Sequence, residues 1–526
     1  MQEACDWIVF QAEWGDFPRG LDESTKRIEC RMSKQPEATL VRQMGLMGLV
    51  ATGICSMVGA AINIIPIMLQ RNVPGIGPYV IPAYLLAAIP AILAALAYAV
   101  LSSAMPRAGG SYVYATRALH PYIGFIASFS QWFGLSVAIG VVAYVLIPFL
   151  RDIATALGLV GVAETLEVGV VRVLLALSFV WVFAGVNVLG VKTYERVLVP
   201  LMILMFLGII IVIPIGFSFD HTQFAAAVEA REGVAVPLAE APDFNWGILL
   251  AASAVLFSSF IGFDSIAQAG GEVRDPNRTM PLAIGISVVS VGTFYLLFTA
   301  AVYHAVPWNF IAEKAQTTDL TAPGLLGYLL APTWTVAIVA GATVGLINNF
   351  PALILATSRL MFAWAEDGVF PPAMAHVSPR YRTPVRAIVA SCLVASGGIL
   401  GSHLAGDFFL GVDILVTGML INFLLMCVSV LTLAKRNPAL ASEIRFARTR
   451  PIQLLIGGAG TVTLFIYLIV HTAKDLQAPV AAWYLRSTWM WLMVAGIASL
   501  IFWREWRSLR RRGVDVNRLF RELPPQ

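Results

Sequence analysis

Long apolar runs divide this sequence, and they constrain its fold more than any other feature. A helix rises about 1.5 Å per residue, so about 20 apolar residues cross the ~30 Å of hydrocarbon in a bilayer. Of the 526 residues, 58% are hydrophobic and only 13% are charged, whereas soluble domains carry about 25% charged residues. The mean hydropathy is +0.78. We therefore expect an integral membrane protein.

Twelve such runs are present, and they lack the alternating pattern of barrel strands, so helices are the expected spanning elements. The fold class predicted is an all-α membrane protein with about twelve transmembrane helices. The runs lie near residues 44–69, 79–104, 122–149, 170–188, 196–217, 247–269, 281–304, 333–363, 386–403, 408–433, 454–473 and 488–503.

The distribution of Lys and Arg predicts the orientation. With a cytoplasmic N-terminus, 28 of the 35 basic residues fall in cytoplasmic segments, as the positive-inside rule requires. We expect a multi-pass protein of the cell membrane with both termini in the cytoplasm and the lipid bilayer as its partner. The basic cluster at 504–512 is interpreted as an anchor near anionic lipid, and no nucleic acid is expected.

Two of the runs contain residues that interrupt a helix. The first contains Gly59, Asn63 and Pro66, and the sixth contains Gly262 and Asp264 in the stretch SSFIGFDSIAQAGGEVRDPNRTMP. Backbone groups freed by an interruption are costly in hydrocarbon, so they are tolerated only where they line a protein cavity. Close helix packing is the alternative explanation for the glycines.

The two interruptions lie five runs apart, which predicts a 5+5 inverted repeat with discontinuous first and sixth helices plus two C-terminal helices. A half-helix N-terminus suits a carboxylate, and freed carbonyls suit an ammonium, so a free amino acid fits both. The predicted domains are a polar cytoplasmic tail at 1–43, repeats at 44–217 and 247–433, two helices at 454–503 and a basic tail at 504–526.

Asp264 is an ionisable residue inside an apolar run. Such residues are rare in membrane spans and indicate a functional site by default. A hydrogen-bonded structural carboxyl is the alternative.

Four motifs resemble those of the amino acid–polyamine–organocation transporters, which are amino acid permeases with a leucine-transporter-like fold. They occur in the family's order and cover about residues 40 to 390. The motifs are VGAAINIIP at 58–66, AMPRAGGSYVYATRAL at 104–119, FIGFDSIAQAGGEVRDPNRTMPLAI at 260–284 and AEDGVFPPAMAHVSPRYRTPVRAI at 365–388.

The resemblance implies a substrate site at the two interruptions. It places the substrate carboxylate on the amides of Gly59, Ala60 and Ala61, and the ammonium on carbonyls near Val58 and from Ser259 to Gly262. The full predicted set is Val58, Gly59, Ala60, Ala61, Ile62, Asn63, Trp132, Phe257, Ser258, Ser259, Phe260, Ile261, Gly262 and Asp264.

Three routes of energy coupling stay open at this stage. Thr343, Asn348 and Asn349 in the eighth run are candidate ligands of a sodium ion, with hydrogen bonding between helices as the alternative reading. Proton coupling through Asp264 and uncoupled exchange are the other two routes.

The expected function is secondary active transport of an amino acid or related amine by alternating access. A permease-like sensor that binds without transport is the alternative. A membrane-embedded enzyme is disfavoured because the six histidines show no motif spacing, and a channel because no run shows a filter-like loop. No catalytic residue, metal or cofactor is predicted, and the oligomeric state is left open.

Overall fold

The computed structural model describes residues 40, 42–237, 239–405, 408–478 and 483–524. Most of the predicted N-terminal tail, residues 1–39, therefore lies outside the described part. Within that part every regular element is a helix, and β-pairing is limited to two isolated bridges. The predicted all-α class is confirmed.

Each of the twelve apolar runs forms one helix or a series of shorter helices, and we call these elements spans 1 to 12. In chain order their bounds are Leu46–Met57 with Ala60–Asn63 and Ile65–Asn72, Val80–Ala104, Pro121–Ala156, Gly169–Val188, Val191–Ile209 with Val212–Ser218, Trp246–Leu256 with Phe257–Phe260 and Ser265–Gln268, Pro276–Ala305, Pro332–Glu366, Val385–Ala405, Phe409–Arg436, Arg450–Gln477 and Ser487–Arg511.

Ten of the described helical segments are long and apolar enough to cross a membrane. Spans 1 and 12 lie outside this set, each for a different reason. Span 1 is divided into short pieces, and span 12 carries charged residues such as Arg504 and Arg510 in its C-terminal half. The architecture agrees with a membrane protein of about twelve helices.

Short helices join the spans, and local sequence sets their ends. His221–Glu232, between spans 5 and 6, starts at a capping box in which Asp220 accepts a hydrogen bond from the backbone N–H of Gln223. It ends at Gly233, whose φ of 69° suits glycine. The other connecting helices are Gly110–Ala118, Val160–Glu167, Trp308–Lys314, Ala322–Leu326 and Pro438–Ser442, with the 3-10 turns Pro372–Ala375 and Trp483–Leu485, and the helix Val516–Leu519 follows span 12.

Span 3 forms the centre of the bundle. It packs against spans 8, 9 and 10, and nearly all of its residues from Gly124 to Phe149 are buried. Gly134 and Gly140 lie directly against the backbones of spans 10 and 9, which is the close approach that small residues permit in membranes. Span 3 can therefore position side chains at the middle of the molecule.

Two buried ion pairs close one end of the bundle. Arg117, which follows span 2, lies 2.6 Å from Asp367, which follows span 8. Arg359 near the end of span 8 lies 2.7 Å from Glu272, which follows span 6. Buried charges of this kind are stable only when paired. All of these residues lie at the same end of the bundle, which is the end predicted from the sequence to be cytoplasmic.

The C-terminal segment covers the same end. The Arg117 guanidinium donates to the carbonyl oxygens of Glu522 at 3.2 Å and Leu519 at 3.5 Å, and it lies over the ring of Phe520. Arg107 donates to the carbonyl of Pro524 at 3.0 Å. The segment after span 12 is thus bound to the loop between spans 2 and 3.

Candidate functional site

Span 1 is interrupted at Val58. The helix Leu46–Met57 ends there because Val58 adopts an extended conformation, with φ −81° and ψ 127°. A single short turn, Ala60–Asn63, follows before the helix resumes at Ile65. The middle of span 1 therefore lacks a continuous ladder of helical hydrogen bonds.

Span 6 is interrupted at the corresponding place. A 3-10 turn, Phe257–Phe260, leads into the extended residue Ile261. Gly262 has a φ of 138°, which glycine adopts at no steric cost. A short helical turn, Ser265–Gln268, then leads out of the membrane segment. The predicted discontinuity of the first and sixth helices is confirmed.

The two interruptions are in direct contact. A Cβ atom on Gly262 would lie 2.6 Å from the carbonyl carbon of Ser56 and 2.8 Å from the amide nitrogen of Met57. Gly59 is similarly close to span 8, because a Cβ there would lie 2.9 Å from the Asn349 side-chain oxygen. Glycine at position 262 therefore allows the two backbones to approach each other closely, and glycine at position 59 leaves room for the Asn349 side chain.

Side chains from other spans satisfy the carbonyls freed by the first interruption. The Asn349 amide nitrogen donates to the carbonyl of Val58 at 2.8 Å and also to that of Cys55. The hydroxyl of Tyr295 in span 7 donates to the carbonyl of Met57 at 2.6 Å. The backbone groups that unwinding releases thus have partners inside the protein.

Asp264 holds the backbone of the second interruption. One of its carboxylate oxygens accepts from the Gly262 amide at 3.0 Å, and the other accepts from the side-chain nitrogen of Gln131 in span 3. The oxygen of Gln131 in turn accepts from Ser111 and from Gln268. Asp264 is fully buried and forms no ion pair among the described residues, so it acts here as a hydrogen-bonded carboxyl.

A cavity adjoins the two interruptions and is enclosed by spans 1, 3, 6, 8 and 10. Its polar lining comes from Ser56, Ser258 and Asn349, and the rest is apolar. The apolar lining residues are Met57, Ile64, Ile65, Leu135, Ala138, Val141, Val142, Val145, Ile261, Leu353, Phe408, Gly411, Val412 and Leu415.

The direction of the chain shows where this cavity lies. Span 3 starts at the end closed by the ion pairs and reaches the cavity with residues 135–145, beyond its first third. Span 10 starts at the opposite end and lines the cavity with its first residues, 408–415. The cavity therefore lies towards the end away from the ion pairs.

The structure separates the predicted site residues into groups. Ser258, Ile261 and Asn349 line the cavity. Val58, Ile62 and Asn63 are buried in the first interruption, where Asn63 donates to the Gly59 carbonyl at 2.9 Å. The backbones of Ala60 and Ala61 form the short turn, but their side chains lie outside the described part.

The three predicted aromatic residues take part in packing away from the cavity lining. Trp132 packs against Phe129 and Trp364 and donates to the Ser391 hydroxyl at 3.0 Å.

The other two aromatic residues lie on span 6. Phe257 contacts Phe423 and Tyr467. Phe260 contacts Tyr84 and Tyr295. Their neighbour Ser259 hydrogen-bonds the Tyr84 hydroxyl at 2.9 Å.

The other two candidate ion ligands in span 8 have different hydrogen-bond partners. The Thr343 hydroxyl donates to the carbonyl of Val339, one turn earlier, at 2.7 Å. The Asn348 amide nitrogen lies 2.8 Å from the sulfur of Cys55. Of the three candidates, only Asn349 reaches the freed carbonyls.

Sequence reasoning did not identify Gln131 and Tyr295 as residues of the site. Gln131 had a usable signal, since it is an uncharged polar residue within the apolar run 122–149. Tyr295 had none, because a tyrosine in an apolar run is compatible with many positions.

Residues 44–499 match a family described as amino acid permease. The chain is 27% identical to human cationic amino acid transporter 4 over 68% of its length and 55% of the relative's. It is 26% identical to the branched-chain amino acid permease of Bacillus subtilis, covering 77% of this chain and 83% of the relative. It is 24% identical to the methylthioribose transporter of Bacillus subtilis, covering 92% of this chain and 98% of the relative. The chain thus spans little more than half of the human relative.

Gly262→Ala tests the contact between the interruptions. The added methyl group would collide with the Ser56 backbone and would occupy an unfavourable φ, so we expect a loss of about 1–3 kcal/mol and a lower Tm. Gly285→Ala is the matched control, because Gly285 lies in span 7 with no atom near its Cβ position. Thermal unfolding of both purified variants is the measurement, and an unchanged Tm for Gly262→Ala would contradict the contact.

Asp264→Asn tests the carboxyl's role. The new amide nitrogen would face the donor nitrogen of Gln131, so we expect a loss of about 1–3 kcal/mol in stability. Adding Gln131→Glu places a carboxylate oxygen opposite the new amide nitrogen at position 264. The double variant should therefore recover most of the lost stability, as measured by thermal unfolding. If the double variant is no more stable than Asp264→Asn, this hydrogen bond does not hold the interruption.

Proposed function

The chain belongs to the amino acid permease family, and we propose that it transports a free amino acid or a related amine across the cell membrane by alternating access. The observation that carries this proposal is the contact between the two interrupted spans beside a largely apolar cavity. Such paired interruptions at mid-membrane are where secondary transporters bind their substrates.

The backbone at the interruptions offers complementary groups to a zwitterion. In our proposal the substrate carboxylate accepts from the amides of Gly59, Ala60 and Ala61, at the start of a helical turn. The Val58 carbonyl is already bonded to Asn349. The Gly262 carbonyl likewise accepts from the Ser265 amide at 3.0 Å. Of the predicted carbonyls from Ser259 to Gly262, we therefore assign the substrate ammonium to those of Ser259, Phe260 and Ile261 in span 6.

The cavity wall indicates the kind of side chain that the substrate carries. Among the described residues that line it, none is charged, and most are aliphatic, such as Val141 and Val412. A cationic side chain would lose its hydration there without gaining a partner. We therefore propose a neutral amino acid with an apolar side chain as the substrate.

Alternating access requires the closed end of the bundle to open. In our proposal this end faces the cytoplasm, together with both termini, as the distribution of Lys and Arg indicates. The pairs Arg117–Asp367 and Arg359–Glu272 join the loops after spans 2, 6 and 8. These pairs must separate when the proposed repeats at 44–217 and 247–433 move and release the substrate to that side.

Ligand-dependent stabilisation followed by uptake tests the function. We expect leucine, isoleucine or valine to raise the Tm of the purified protein more than arginine, lysine or methylthioribose, because a ligand that binds only the folded state stabilises it. Proteoliposomes should then accumulate or exchange the radiolabelled ligand.

Matched variants locate the site. Ala138→Phe fills the cavity and should abolish the stabilisation, whereas Leu204→Phe on an exposed face of span 5 should preserve it. Binding without uptake would favour a sensor. If no amino acid or amine binds or is transported, the proposed function is wrong.

A further inference from the structure

The side-chain amide of Asn349 lies among the backbone carbonyls that the first interruption frees. Its nitrogen donates to the carbonyls of Val58, at 2.8 Å, and Cys55. Asn349 is 5% exposed and also lines the substrate cavity. A single polar group of span 8 therefore holds the unwound part of span 1 beside the cavity.

The hydrogen bonds determine the orientation of this amide. Two backbone carbonyls face the same side-chain atom, and carbonyls only accept hydrogen bonds, so that atom must be the nitrogen. The whole amide group lies against Gly59, where a Cβ would lie 2.9 Å from its oxygen and 3.0 Å from its carbon and its nitrogen. Glycine at position 59 thus gives the amide the room to reach the carbonyls.

In many secondary transporters a sodium ion or proton is coordinated by the carbonyls of an unwound helix. Its positive charge offsets the converging carbonyl dipoles. The side-chain amide of Asn349 has two N–H groups, so it places partial positive charge beside the freed carbonyls of span 1 without any ion. The Thr343 hydroxyl, which could add an ion ligand from the same span, is engaged with the Val339 carbonyl.

We propose that Asn349 replaces a coupling cation at the first interruption, so that the substrate site is held in its folded form without sodium. The consequence of this inference for transport rests on the proposed function. The candidate sodium route through Thr343, Asn348 and Asn349 is then not used. Any energy coupling takes place through a proton or through exchange.

The cation dependence of thermal stability tests this inference directly. Wild-type protein in about 150 mM NaCl and in equal choline chloride should have the same Tm. In Asn349→Asp a carboxylate replaces the donor, so oxygen atoms alone surround the position. We expect this variant to be less stable in choline, and sodium to raise its Tm by about 2 °C or more.

Asn348→Asp is the matched control. It is the same chemical change one residue earlier, where the amide contacts the Cys55 sulfur rather than freed carbonyls. We expect no sodium-specific rise in its Tm. If Asn348→Asp responds to sodium as strongly as Asn349→Asp, the response does not come from the freed carbonyls, and the inference is wrong.

The wild-type comparison decides the question even where a variant fails to fold. A sodium-specific rise in the wild-type Tm would overturn the inference, as would an Asn349→Asp protein that folds but whose Tm does not change with sodium.

Asn349→Ser, whose hydroxyl can bind an ion, is the second variant, and sodium should raise its Tm as well. None of these readouts requires substrate, so a failure of the proposed transport function would be seen separately, as an absence of ligand binding and uptake.

Discussion

The central constraint on this molecule is that no water is present in the hydrocarbon region to satisfy an unpaired backbone group. Two spans are nevertheless unwound, and side chains accept from or donate to several of the backbone groups that this unwinding frees. Asn349 and Tyr295 satisfy span 1, while Asp264 binds the amide of Gly262 in span 6. The interruptions are stable because the protein replaces the missing helical hydrogen bonds.

These partners connect the site to the whole bundle. Gln131 extends the Asp264 network into span 3, which packs against spans 8, 9 and 10. Asn349 connects the site to span 8, whose C-terminal part contributes Arg359 to a buried ion pair at the closed end. Span 8 therefore contacts both the cavity and one of the ion pairs.

The sequence predicted the spans and their interruptions better than the lining of the site. The thickness of the bilayer determines the length of an apolar run, so all twelve runs could be located, although some helices extend beyond the predicted bounds, such as span 12, which ends at Arg511 rather than at 503. Gly262 and Asp264 indicated the second interruption because both are unfavourable in a membrane helix. The side-chain partners come from spans that are distant in sequence, and residue type alone does not say which way a side chain faces. Trp132, for example, packs against other aromatic rings although its type also suits a binding pocket.

An experimental density map of the protein in lipid nanodiscs tests the central claim most directly, at residues 56–63 and 257–264. The account predicts that both segments are unwound, that the Gly262 backbone contacts the Ser56 carbonyl, and that Asn349 lies against the Val58 carbonyl. Continuous, fully hydrogen-bonded helices through Gly59 and Gly262, or a layer of other side chains between the two segments, would contradict it.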